Sequence, residues 1–232
     1  MTAAAAHPLI RMLAAFEARV RDLAGVLGDA SREFTLPDEG RDPALDAHAH
    51  AIRAEAARRI WFGAPVPLAA FLEPGNRIAI LAPDALRRLS AARALFACRD
   101  AVRRCVDRRV RDALAASIGP NALAVLLALP AEHGGADHAL PADVSSDALA
   151  RDGWRALAAS GACSNASLRN LVELNLAMAS DEQGPAPDIA RLGADDVDAR
   201  WRDDAMPDSA NETNRFFSAA SGMFPELQWL FG

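Results

Sequence analysis

Apolar residues at Leu9, Leu13, Phe16, Val20, Leu23 and Leu27 recur after four, three, four, three and four positions, which draws one stripe along a helix. Pro8 suits the first turn and Gly28 the end, so the pattern predicts a helix over 8–28. A stripe of fewer than three heptads favours packing on the parent domain over a coiled-coil seam with another chain. After a polar loop holding Pro37, Gly40 and Pro43, the stretch Ala44 to Phe62 reads as a second helix with Leu45, Ile52, Ile60 and Trp61 as its apolar side chains. Gly63, Pro65 and Pro67 stop it. The run Arg77 to Leu81, behind a turn at Pro74, Gly75 and Asn76, is the only strand-like one.

Pro83 and Asp84 open a third helical pattern with Leu86, Leu89 and Phe96. Val102, Val106, Val110 and Leu114 then repeat every fourth residue with Cys98 and Cys105 alongside, which predicts a helix with one buried side running on to Gly119. Pro120 starts the next helix, and Asn121 to Leu129 carries no charge, so it is expected to be central and buried nearly all round. A glycine-bearing loop leads to Ser146 or Asp147 as the cap of a helix through Trp154 and Leu157 to Ser160, closed by Gly161. The helical period resumes from Ser164 through Leu168, Leu171, Leu174 and Met178.

These elements predict a mainly α fold: a single compact helical domain over 1–180, with six to eight helices and at most a minor β element. Its central arginine-rich helices span 84–130. Residues 181–215 differ in kind, with ten acidic residues against four arginines, and read as an acidic linker or loosely attached structure. That segment could fold back on the arginine-rich helix and mask it, a contact that salt would weaken. The last stretch, 216–232, gathers Phe216, Phe217, Phe224, Trp229 and Phe231, with Pro225 placed to start a short terminal helix. So many aromatics do not stay in water, and they dock either on the parent core or in a groove of another protein.

Composition narrows the function. The hydrophobic fraction of 51% owes much to alanine, which favours close-packed helices, and all 25 basic residues are arginine. The joint absence of lysine and tyrosine fits a GC-rich coding bias and carries no functional weight. A net charge of -6 argues against a general nucleic-acid binder. Cys98, Cys105 and Cys163 are an odd number in alanine-rich helical contexts and suit reduced residues of a cytoplasmic protein. Arg11, Glu17, Arg19 and Arg21 interrupt the N-terminal stretch too early for a secretory signal, and Ala122 to Pro130 is far shorter than the ~20 residues needed to span a bilayer. Membrane association is therefore expected only through partners.

Candidate chemistry is sparse. No phosphate loop, dinucleotide fingerprint, nucleophile elbow or zinc-ligand cluster occurs, so no catalytic residue, cofactor or metal is assigned. His48 and His50 lie two apart, on different helix faces, and His133 and His138 flank glycines, neither of which makes a metal site. The notable feature is a run of nine arginines from Arg87 to Arg111, opposed by Asp84, Asp100, Asp107 and Asp112, which leaves +5. Three readings of it stay open: a solvated face laced by ion pairs, a docking patch for an acidic protein, and nucleic acid. Exposed ion pairs contribute only ~0–1 kcal/mol, so stability is a weak reason for so many guanidinium groups, and partner choice is a better one.

The stretch Ile80 to Pro130, with ILAPDALRRL, FACRDAVRRCVDRRVRDALAASIG and PNALAVLLALP, resembles the SctK family of type III secretion accessory proteins, whose relatives include YscK, OrgA and MxiK. The alanine- and arginine-rich style is closest to a Hrp-type member. The resemblance implies a helical, non-enzymatic adaptor in the cytosolic sorting platform. It would link the cytoplasmic domain of an SctD-like inner-membrane ring protein to an SctQ-like pod protein, with SctL and the SctN ATPase reached indirectly. Partner-binding candidates come from the charge and aromatic arguments: Arg99, Arg103, Arg104, Arg108 and Arg111, with Phe224, Trp229 and Phe231. A transcriptional regulator reading DNA with the arginine helix, or a motif-poor helical enzyme, are the alternatives.

Overall fold

Every regular element is helical among the residues described by a computed structural model, which are 7–30, 43–130, 139–178 and 209–231. His133, His138 and most of the acidic segment lie outside them. The chain folds as two compact units, one of Met1–Ile80 with Asn165–Val172, the other of Leu81–Ser164 with Glu173–Gly232.

In the first unit, α1 (Pro8–Ala30) buries Met12, Phe16, Val20, Leu23, Ala24, Leu27 and Gly28. The stripe is the expected one, though Leu9 and Leu13 at its start are only half-buried. Gly28 does not end the helix. A Cβ there would lie 2.9 Å from the Ala54 nitrogen, so the glycine lets the backbone of α1 meet that of α2 (Pro43–Phe62). Arg53 Nε donates to the Gly28 carbonyl at 3.1 Å across this contact. Such closeness needs small residues, and α2 buries Ala57 and Phe62 while its apolar side chains Ile52 and Ile60 are exposed.

The strand-like run is helical instead. A 3₁₀ turn over Leu68–Leu72, α3 (Pro74–Arg77) and a second 3₁₀ turn over Ile78–Ile80 follow one another. Arg77 donates to the Phe71 carbonyl at 2.8 Å in the preceding turn, and Arg19 from α1 donates to the Ile80 carbonyl at 2.9 Å, so a side chain satisfies a carbonyl of the run that a strand partner would have taken. Ile78, Ala79 and Ile80 are all buried, and a run covered on every side shows no period by which to tell strand from helix. The start of α9 (Ala166–Met178) completes this unit. Asn165 accepts from the Ser167 amide at 2.9 Å as a cap, while Asn170 donates to the Trp61 carbonyl at 2.7 Å.

The second unit is built on α4 (Pro83–Ala97) and α8 (Ser146–Ala159). Pro83 occupies the first turn of α4, as its sequence position predicts. Ser145, one residue before the expected caps, closes the start of α8 by accepting from the Ala148 amide at 3.3 Å. The two helices touch backbone to backbone. A Cβ on Gly153 would overlap the Ser90 carbonyl oxygen and come within 3.1 Å of the Ala94 nitrogen. Ser90, Ala91 and Ala92 line the α4 side, fully buried.

Beyond α4 the unit continues through α5 (Arg99–Arg104), α6 (Arg108–Ile118) and α7 (Pro120–Ala128), with Gly119 at φ +92° turning α6 into α7. In α7 only Ala122 and Leu126 are fully buried, against the expectation of a helix covered all round. Absence of charge marks tolerance of burial rather than burial itself. The C-terminal part begins earlier than expected: residues 209–215, read as linker, form the first turns of α10 (Ser209–Met223), ahead of a 3₁₀ turn (Pro225–Leu227) and α11 (Gln228–Phe231). Phe216 meets Phe96 of α4 edge-on at 5.6 Å, and Phe217 stacks on Phe231 at 5.3 Å. With Phe224, Leu227 and Leu230 also buried, this segment packs into its own unit.

Candidate docking surface

The arginine-rich stretch is three helices, not one. The α4 helix ends at Cys98, whose backbone (φ -109°, ψ 24°) leaves the helical region. The α5 helix ends when the Cys105 amide returns to the Val102 carbonyl at 3.2 Å. Asp107 then caps α6, accepting from the Arg109 amide at 2.8 Å and the Val110 amide at 3.5 Å. The stripe of valines is broken accordingly. Val102 and Leu114 are buried, but Val106, between the two helices, is 94% exposed.

The breaks sort the guanidinium groups. Arg87 reaches Asp147 at 3.4 Å and Arg88 reaches Glu226 at 3.2 Å. Arg93 is 1% exposed, in an ion pair of 3.0 Å with Glu212 of α10, and its Nε donates to the Thr213 hydroxyl at 3.3 Å. Burial pushes its pKa down and the nearby Glu212 carboxylate opposes that shift. Arg99, also buried, donates to the Phe96 carbonyl at 2.9 Å and lies 4.8 Å from the Phe96 ring centroid. Arg103 donates to the Leu127 carbonyl at 3.0 Å and to Asp100 at 2.7 Å, fastening α5 to α7.

Four arginines remain at the surface: Arg104 at the end of α5, and Arg108, Arg109 and Arg111 in the first turn of α6. Arg108 approaches Asp112 only to 3.7 Å with both side chains largely exposed, a pair worth little. Arg111 reaches back to the Arg103 carbonyl at 3.5 Å. These four lie on either side of Val106 in sequence, which makes the turn between α5 and α6 a cationic corner with one bare apolar side chain. The corner is fixed from beneath by Val102, Arg103, Leu114 and Ile118.

Of the residues singled out in the sequence, Arg104, Arg108 and Arg111 are exposed at this turn, and Arg103, whose carbonyl accepts from Arg111, lies at its base. Arg99 and Phe224 belong to the interior and present nothing to a partner. Phe231 is half-buried against Phe217, and Trp229 alone of the three aromatics faces outward, 54% exposed. Val106, Arg109 and Glu212 were not singled out. A signal existed for the first two: Asp107 ahead of a helix-forming run is a cap, and places a helix start at 108. Glu212 and Thr213, at the end of the stretch read as an acidic linker, contact Arg93; residues 181–208 of that stretch, and with them the masking of the arginine helix, lie outside the described residues.

Other chemistry is thin. His50 contacts Asp29 at 2.8 Å, and no group of three metal-ligating side chains comes together among the described residues. Burial pushes the Cys98 thiol up to about 11, which removes it from nucleophilic service near neutral pH.

A protein-family model described as bacterial type III secretion protein (HrpB4) matches residues 3–226. No curated protein and no solved structure matches the chain.

Proposed function

The chain belongs to the HrpB4 family of bacterial type III secretion proteins, and from that premise we propose that it is a non-enzymatic adaptor of the cytosolic sorting platform. In this reading it links an SctD-like inner-membrane ring protein to an SctQ-like pod protein, with SctL and SctN engaged indirectly. It works in the cytoplasm, held at the inner membrane by its partners.

The observation that carries the reading is the family match across nearly the whole chain, which agrees with the SctK-like pattern at Ile80 to Pro130. Two structural features support it. Each unit is built of packed helices among the described residues, and the cationic corner is an exposed surface formed by well-anchored elements of the second unit. No single helix among the described residues is long and apolar enough to cross a membrane. A DNA-reading role has less support, because Arg93, Arg99 and Arg103 spend their hydrogen bonds inside the fold.

Clean deletion of the gene in its native host tests the proposal. Secretion through the type III pathway is expected to stop while the membrane rings still assemble. Normal secretion from the deletion strain would reject the adaptor.

A further inference from the structure

We infer that the outward face of α2 is the contact through which two copies of this chain pair, with the two α2 helices antiparallel about a two-fold axis at Ala56. The inference stands independently of the adaptor reading and adds to it a self-association surface on the first unit.

In α2 the apolar side chains are the wrong way round for a helix that packs only on its own unit. Alanines face inward: Ala57 is buried, and the Ala54 nitrogen would lie 2.9 Å from a Cβ on Gly28 of α1. Both isoleucines face outward, Ile52 57% and Ile60 69% exposed. One bare apolar side chain means little, since such residues are common on protein surfaces. Here two of them, with exposed Ala56 midway, form a single line, because residues four apart share a helix face.

That line reads the same in both directions. Four residues before Ala56 stands Ile52 and four after it Ile60, while seven before it stands Ala49 and seven after it Gly63. A two-fold contact is served by such a pattern, since residue i of one copy meets j of the other while j meets i. With the helices reversed about Ala56, each Ile52 meets the second copy's Ile60, each Ala49 meets a Gly63, and alanine meets alanine at the axis. Small residues at the centre and the ends let the helices approach, and the isoleucines fill the spaces between.

The charges beside the stripe choose the direction. Glu55 and Arg59 flank it one turn apart and pair with each other at 2.8 Å. Parallel helices would set Glu55 on Glu55 and Arg59 on Arg59. Reversal sets Glu55 of one copy against Arg59 of the other, so like charges are kept apart. A strongly acidic or basic partner would be repelled by one member of the pair, whereas a second copy answers both.

The test uses the full chain carrying Cys105→Ser, which removes the one cysteine that is not buried. Ala56→Cys in this background is expected to form a disulfide between copies under mild oxidation, because the axis brings the two positions together. Ile52→Cys and Ile60→Cys should each stay unlinked when oxidised alone, since reversal leaves identical positions roughly 12 Å apart along the helices, beyond the reach of a disulfide. Mixed, those two variants should link to each other. In sedimentation the unaltered chain is expected to be dimeric at about 100 μM, as contacts of one helix per copy fall at the weak end of interfaces. Ile60→Asp should raise the dissociation constant about 100-fold. Arg59→Glu should raise it about tenfold, and joining it with Glu55→Arg should restore it.

A monomeric unaltered chain at that concentration, no link at Ala56→Cys, a link at Ile52→Cys alone as strong as at Ala56→Cys, or a dimer indifferent to Ile60→Asp would each overturn the inference. Should Ile60→Asp unfold by circular dichroism, Arg59→Glu and the pattern of disulfides decide in its place. Normal secretion on gene deletion would remove the adaptor and leave this contact standing.

Discussion

Arg93, Arg99 and Arg103 on one side, and Arg104, Arg108, Arg109 and Arg111 on the other, belong to one continuous run of sequence and have opposite fates. The first group is used as internal mortar: an ion pair to Glu212, a hydrogen bond and ring contact at Phe96, and a bridge to Leu127. The second group faces outward around Val106. Both look alike in composition because a guanidinium serves either purpose, with a long apolar stem for packing and a fork of donors for carbonyls or carboxylates. The difference is set by where the helices break, at Cys98 and at 105–107.

The strongest way to sharpen that contrast is to remove the acid of the internal pair. Glu212→Ala leaves Arg93 buried with only Thr213 to meet it, and Arg93 Nη1 already lacks an acceptor among the described residues. A loss of about 3–5 kcal/mol is expected in urea unfolding. A loss below ~1 kcal/mol would show that Arg93 reaches water and would break the comparison. Arg93→Met is expected to cost much less than Glu212→Ala, because it withdraws the charge as well as the pair.

Next in size is a chemical contrast between two cysteines. Cys105 sits half-exposed at the corner, while Cys98 is buried with its thiol pushed up to about 11. Iodoacetamide at pH 8 is expected to modify Cys105 first. Cys98 should follow only as the pH nears 11, where its thiolate forms, or when the unit unfolds. Mass mapping of the alkylated peptides checks the order, and equal rates would mean that the interior half opens readily.

Arg99→Ala should cost about 1–3 kcal/mol through the lost hydrogen bond and the lost contact with the Phe96 ring. Arg108→Ala and Arg109→Ala should change stability by no more than about 0.5 kcal/mol, since neither side chain is tied into the fold. A thermal melt of each purified variant measures both. A large effect at Arg108 would place it among the internal group.

Much of the fold was legible where residues carry their own punctuation. Pro8, Pro83 and Pro120 each start a helix, and Gly161 at φ +91° follows the end of α8. The stripe of α1 needed only its period. What could not be read was set by contacts between distant residues. Ile78 to Ile80 is covered on every side, so its apolar run held no direction. The apolar side chains of α2 did not mark its buried side: Ile52 and Ile60 are exposed, because a helix that meets another through Gly28 is served by alanines. At the candidate site, the four-residue spacing of Val102, Val106 and Val110 outweighed the cap at Asp107 in the sequence reading, and the cap decided the structure. No local pattern could have paired Arg93 with Glu212, which lies on a later helix.

The contact of Gly153 with Ser90 has a consequence for the order in which the second unit comes apart. Two main chains pressed together leave no room for solvent, so the amides of α4 near Ala91 and Ala92 should be the last to take up deuterium. Methyl-sized growth at position 153 would wedge the pair open and turn that slowest clock into a fast one.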